Sequence, residues 1–259
     1  GTEPVYNIID EYVVPVTDNH VRIVADTWDS FTEMTTFRYG IPHTKHDWSA
    51  DYVVTGFNML KDRLEEVTGN KITDEKLKEA IDLCNREREL LKEISLMRRA
   101  ERPPITTRDF VTLNHASLLL DKKTVIGKLE EIAASLRGTE GPEPEGPRLM
   151  LMGTALAYGD HRILDFINAA GGTVVIEEFG EGIRHYWETV NPEGDLMKAL
   201  ADRYFTRRVP PAWFRPGTER KEFAVRLAND FKVAGVVWYQ LLPRETDDFE
   251  SYWFPKVLK

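Results

Sequence analysis

The stretch RLMLMGTALAYGDHRILDFINAAGGTVVI, residues 148–176, decides the fold. Arg148–Met152 opens it as a short apolar run with no polar alternation, and Thr173–Ile176 closes it as another. Strands that are apolar throughout are buried on both faces, the habit of parallel sheets. Between the two runs, Gly153-Thr154 ends the first, residues 161–170 carry a helical pattern, and Gly171-Gly172 stops it. The order strand, helix, strand predicts a β-α-β unit. Further on, a helix over residues 219–232 stops at Ala234-Gly235, and Val236–Leu242 follows as a third strand of the same sheet.

Upstream of this unit, residues 138–147 (GTEGPEPEGP) hold no large apolar side chain and three prolines, so they predict an exposed interdomain linker. Before the linker the apolar spacing is helical. Tyr52, Val53, Phe57, Leu60, Leu64 and Val67 recur at three- and four-residue steps until Gly69. Thr73, Asp74 and Glu75 start a second helix that carries Leu77, Ala80, Ile81, Cys84, Leu90, Leu91 and Ile94 towards Pro103-Pro104. Two more helices are expected near residues 107–120 and 122–137. In residues 1–48, the runs Tyr12–Val14 and Val21–Val24 read as short strands among loops, and residues 37–48, punctuated by Gly40 and Pro42, read as a loop. The expected fold class is α/β, with a Rossmann- or flavodoxin-like parallel-sheet domain in the second half preceded by a mainly helical region. By this reading residues 1–48 are an irregular remnant of an upstream α/β domain, 49–137 are helical, 138–147 are linker, and 148–259 form the α/β domain, incomplete at its C-terminus.

Composition narrows the function. A formal net charge of −9 argues against a nucleic-acid partner, because binding a phosphate backbone needs clustered Lys and Arg. An anionic ligand held by local arginines stays compatible with it. Cys84 is the single cysteine, so this chain alone forms no disulfide and assembles no cysteine-based zinc or iron-sulfur site. That usage suits the cytoplasm. No apolar run approaches the roughly 18 to 20 residues of a membrane span, so no membrane role is expected.

In parallel sheets ligands bind beyond the carboxyl ends of the strands. The loops to inspect are therefore residues 153–160, 177–184 and 243–248. Gly153-Thr154 either presents backbone N–H groups to an anion or makes a simple tight turn. No G-x-G-x-x-G or G-x-x-x-x-G-K-[ST] nucleotide fingerprint is present. Glu177, Glu178 and Glu181 either divide acid and base roles or form a solvated acidic loop, while Arg184 is suited to clamp a phosphate or carboxylate. Arg244 either does the same or pairs with Glu245. His43 and His46 lack a third nearby metal ligand, and Cys84 falls on a helical apolar face as a core thiol. Thr154, Arg184 and Arg244 are thus the expected substrate-binding residues. No catalytic residue and no metal-ligand set is assigned.

Several segments recur together in one known family: Pro42-His43 to Trp48, Val67-Thr68-Gly69, Ala80-Ile81-x-x-x-Asn85-x-x-Arg88, Arg148 to Thr154, Gly172 to Ile176, Gly182-Ile183-Arg184 and Gly235 to Gln240. In order and spacing the chain resembles subunits of the 2-hydroxyacyl-CoA dehydratase and benzoyl-CoA reductase family over most of residues 37–259. The Trp-Tyr-Gln strand followed by Arg244-Glu245 is most similar to reductase B-type subunits. The resemblance implies two α/β domains with a helical one, a heterodimer with a homologous second subunit, an ATP-dependent activator protein that supplies single electrons, and an acyl-CoA substrate handled by radical chemistry. It also implies a [4Fe-4S] cluster whose cysteine ligands are not present in this chain, so that the chain is expected to be an internal portion of such a subunit. A cluster-free scaffold or assembly subunit of the same fold is the alternative.

Overall fold

The computed structural model describes residues 9–258 apart from 145, 213, 216 and 243. It divides into two compact units, one comprising Gly1–Lys78 with Asn191–Thr206 and the other Glu79–Val190 with Arg207–Lys259.

In the first unit, β1 (Glu11–Val16) and β2 (Thr35–Gly40) pair in parallel, Val13 opposite Phe37, and α1 (Asn19–Phe31) connects them. The run Val21–Val24, expected as a strand, lies in α1. Asp18 caps that helix by accepting the Val21 N–H, and Val21, Ala25 and Trp28, at helical spacing, are its more buried positions while Ile23 and Val24 are exposed. A β-branched run thus lost to capping and to a 3.6-residue period. Residues 37–40, expected as loop, belong to β2, because Pro42 rather than Gly40 marks where the strand ends. α2 (Asp47–Thr68) follows, ended by Gly69 in the left-handed region at φ 67°. His46 and Ser49 form a capping box at its start, and the His43 ring meets the Thr17 carbonyl at 2.5 Å, so both loop histidines hold backbone in place. Gly56 of α2 lies so close to Tyr39 that an added Cβ would stand 3.1 Å from its ring. Tyr39, Phe57 and Tyr204 make an edge-to-face chain towards the π-helical turn Asp202–Thr206, which continues α8 (Leu196–Ala201).

α3 (Asp74–Met97) starts in the first unit and continues in the second. The second unit then holds α4 (Thr107–Leu119), α5 (Lys122–Leu136), β3 (Arg148–Gly153), α6 (Arg162–Ala169), β4 (Thr173–Glu178), α7 (Ile183–Tyr186), α9 (Thr218–Asp230), β5 (Gly235–Tyr239) and α10 (Glu245–Val257). Its sheet is β4-β3-β5, parallel throughout, as a β-α-β reading requires. The apolar β3 alternates between two cores. Met150 and Met152 join Leu90, Ile94, Phe110 and Phe223 on one side, and Leu151 joins Leu156, Leu164 and Ile167 on the other. Leu149 pairs with Val174 and Met150 with Ile176, so Val175 is an extra, bulged residue of β4. At the end of β3, Gly153 sits at φ 136°, and an added Cβ would stand 1.8 Å from the Tyr239 carbonyl oxygen. Only glycine permits that approach of β3 to β5.

Residues 138–147, read as a linker (Glu145 lies outside the described residues), have both flanks in the second unit. The segment is pinned there: Gly141 donates to the Arg102 carbonyl, and the Arg102 guanidinium returns bonds to the Gly141 carbonyl and to Glu140. Cys84 is only partly buried rather than a core thiol, since Ile81, Leu91 and Ile94 form the inward face of α3. No helix of the described residues is long and apolar enough to cross a membrane.

Candidate functional site at the carboxyl edge of the sheet

Parallel order brings the ends of β3, β4 and β5 to one edge of the second unit, and with them Thr154, Arg184 and Arg244. They are employed differently. The Thr154 N–H donates to the Tyr239 carbonyl at 3.0 Å, and its hydroxyl accepts the Leu241 N–H at 3.3 Å, so it ties the loop after β3 to the loop after β5. Arg184, on α7, is buried with its Nε 3.0 Å from Glu178 Oε1. Arg244 occupies the N-cap position of α10, its Nε 3.8 Å from Asp247 Oδ2. The loop expected over 243–248 is therefore shorter, because α10 begins at Glu245; Pro243 lies outside the described residues.

Glu177 and Glu178, the last residues of β4, are buried rather than solvated. Glu177 accepts from Arg98 Nη1 at 2.6 Å and from the Tyr186 hydroxyl at 3.3 Å, and Arg98 Nη2 donates to Ser95 at 2.7 Å. The Arg98 guanidinium also lies 3.9 Å from the Phe110 ring centre. Burial, and after it Glu177, pushes the Tyr186 phenol well above the ordinary tyrosine range. Glu178 accepts two bonds from Arg220, at 3.2 and 3.1 Å, and Arg220 reaches on to Glu250 of α10. Burial drives the Asp247 and Glu250 carboxyls upward against the pull of Arg220, and drives the Arg184 guanidinium downward. A protonated Asp247 or Glu250 would leave Arg184, Arg220 and Arg244 in excess over Glu178, which favours an anion at this edge.

Helix α4 runs along β4 and delivers further groups. At its start the Thr107 hydroxyl donates to the Val174 carbonyl near the amino end of β4, and seven residues on, Asn114 Nδ2 donates to the Glu181 carbonyl in the loop after β4. Glu181 Oε1 accepts the Leu156 N–H at 2.6 Å from the loop after β3, and burial raises its carboxyl. His115 packs edge-on against Tyr158 of that same loop, ring centres 5.0 Å apart, and burial, then the neighbouring His161, lowers its imidazole. Asn114 and His115 are absent from the sequence-based set, as are Arg98 and Arg220. The signal was present: Phe110, Val111, Asn114 and His115 share one buried face, and Arg98 and Arg220 continue the apolar series Leu91, Ile94, Ser95 and Phe223, Ala224, Leu227 at helical steps. A polar residue in a core register is the mark of a buried site. A separate cavity of about 380 Å³ lies at the opposite, amino end of β4, lined by Pro103, Ile105, Thr106, Arg108, Leu164 and Val174.

The donor set does not suit an iron-sulfur cluster. Cys84 is the sole cysteine of the sequence, and among the described residues no group of three or more His, Cys, Asp or Glu is placed to hold a metal.

Comparison with known proteins agrees with the architecture. A family model described as "2-hydroxyglutaryl-CoA dehydratase, D-component" matches residues 2–259. The chain is 26% identical over 227 residues to the (R)-phenyllactyl-CoA dehydratase beta subunit of Clostridium sporogenes, covering 83% of this chain and 59% of that one. It is 27% identical over 182 residues to the putative dehydratase subunit YjiM of Escherichia coli, covering 69% and 47%. It is 22% identical over 197 residues to a benzoyl-CoA reductase subunit of Thauera aromatica, covering 75% and 51%. The chain spans about half to three-fifths of the length of these relatives. With the match running from residue 2 to residue 259, the chain belongs to the 2-hydroxyglutaryl-CoA dehydratase D-component family.

Proposed function

We propose that this chain is part of a subunit of a complex that processes acyl-CoA thioesters, by 2-hydroxyacyl-CoA dehydration or aromatic acyl-CoA reduction, and that its carboxyl edge helps hold the anionic portion of the substrate. The observation that carries this reading is the convergence of Thr154, Arg184 and Arg244 at one end of a parallel sheet in a chain of this family. In the same reading a homologous partner completes a heterodimer in the cytoplasm, and an ATP-dependent activator supplies electrons. Arg244 is the more accessible anchor, since Arg184 is spent on Glu178. An iron-sulfur cluster, whose role would be to accept the electron, needs cysteine ligands from outside these residues.

Calorimetric titration of the full-length protein, with its partner subunit, by an acyl-CoA tests the site. Arg244→Gln should weaken binding about ten- to a hundredfold, the roughly 1.5 to 3 kcal/mol of a charged hydrogen bond. Arg184→Lys should weaken it less while keeping a charge beside Glu178. Unchanged affinity in both variants removes the site. The single cysteine favours one other reading, a scaffold subunit without a cluster. Iron and sulfide analysis of the anaerobically purified complex decides between them: stoichiometric iron eliminates the scaffold, and an iron-free complex eliminates the redox role.

A further inference from the structure

We propose that Asn114 and His115 of α4 recognise the hydroxyl of a 2-hydroxyacyl group, at the point where α4 passes between the loops that follow β3 and β4. The inference rests on the acyl-CoA reading above and narrows it to hydroxylated substrates. It starts from two buried atoms. Asn114 Oδ1 and His115 Nδ1 have no hydrogen-bond partner among the described residues, although Asn114 is 1% and His115 5% exposed. Most buried polar atoms in folded proteins are satisfied, and each exception needs a cause. The Asn114 orientation is fixed by its neighbour: the Glu181 carbonyl only accepts, so the atom facing it is Nδ2 and the free atom is the amide oxygen.

The surroundings say what would satisfy these atoms. Asn114 is held to the loop after β4 through the Glu181 carbonyl, and His115 to the loop after β3 through Tyr158. Glu181 joins the two loops through Leu156 and is close enough to Arg184 to feel its charge, which links this position to the anion-binding edge. Asn114 Oδ1 demands a donor. A neutral imidazole offers Nδ1 as donor or acceptor according to its tautomer. A carboxylate or a thioester carbonyl brings no donor, and an aromatic ring brings none either. A metal would want at least a third protein ligand, and none is grouped here among the described residues. A hydroxyl donates once and accepts, which matches both atoms. Tyr158, more than half exposed on its loop, covers His115 from the outside and can lift without disturbing the sheet.

The test uses the full-length protein with its partner subunit and two probes, phenyllactyl-CoA and the same thioester lacking the hydroxyl, 3-phenylpropanoyl-CoA. Wild type should bind the hydroxylated probe about tenfold more tightly, the order expected of one satisfied buried hydrogen bond. His115→Phe and Asn114→Ala should each bring the ratio towards one while leaving affinity for the unhydroxylated probe within about twofold. His115→Asn, which keeps a polar side chain, should retain part of the preference and serves if the Phe variant does not fold. A ratio that survives in all folded variants, or a wild type without preference, overturns the inference and leaves the acyl-CoA reading standing. Failure of wild type to bind either probe overturns both.

Discussion

Glu178 ends a buried strand with no exposure to water, and its charge is tolerable because Arg184 and Arg220 face it. Removing one partner of a buried pair leaves an uncompensated charge and typically costs about 3 to 5 kcal/mol. Arg220→Met is therefore expected to lower the urea midpoint by an amount of that order, and Glu178→Gln in the same background to restore part of it. A loss under about 1 kcal/mol would show the cluster to be more hydrated than its burial indicates. His115 carries a pH dependence of definite sign. Burial holds its folded-state pKa below the ordinary 6.5, so the unfolded chain takes up the proton first as pH falls. Its contribution is a stability present above about pH 6.5 and lost progressively as pH falls from there through the folded-state value. Chemical denaturation of wild type and His115→Gln at pH 7.5, 6.5 and 5.5 should show the wild type losing more; parallel curves would contradict the assignment.

At the scale of elements, α4 and β3 do the positioning. α4 is capped by Thr106, whose hydroxyl accepts the Asp109 N–H, and it reaches from the amino end of β4 to the loop after it. Thr106→Ala is expected to cost about 1 kcal/mol in thermal or urea unfolding. Loss of the Asn114 contact in that variant would further imply that the cap sets the register of the helix against β4. β3 depends on Gly153 in another way. Gly153→Ala must adopt φ 136° and must also push back the Tyr239 backbone, so β3 and β5 cannot keep their pairing. Gly159→Ala, at φ 78° with open space around it, bears only the backbone strain, of order 1 kcal/mol. The first variant should be recovered poorly or not at all, and the second nearly as well as wild type. Equal recovery of both would show that the strand contact is not needed.

The whole second unit is one folding body across residues 138–147. Its principal core takes Leu90, Leu91, Ile94, Phe110, Leu129 and Ala133 from before that segment, and Met150, Met152, Val175 and Phe223 from after it. The segment is mostly exposed and rich in Gly and Pro, so it is the expected first site of limited proteolysis. Once nicked, the two fragments should stay together on gel filtration and separate only in denaturant. Separation under native conditions would show that the segment joins independent domains, as its composition alone suggests.

The sequence by itself determined the parallel β-α-β core and the edge where ligands gather, because uniformly apolar strands between glycine stops have few other places to go. It also exposed the family through the order of weak motifs. It misjudged Val21–Val24 and residues 37–40, where capping and strand pairing outweighed local propensity, and it read a linker into residues 138–147, where Arg102 and Gly141 bind the segment to its own unit. The buried Glu178–Arg220–Glu250 group brings together residues 178, 220 and 250, and Asn114 meets Glu181 from 67 positions away. Which charge faces which depends on how helices settle against a sheet, a property of packing rather than of spacing along the chain. Only the tertiary structure could decide that the arginine and carboxylates read as surface chemistry at β4 are buried, and that two polar atoms of α4 are left there without partners.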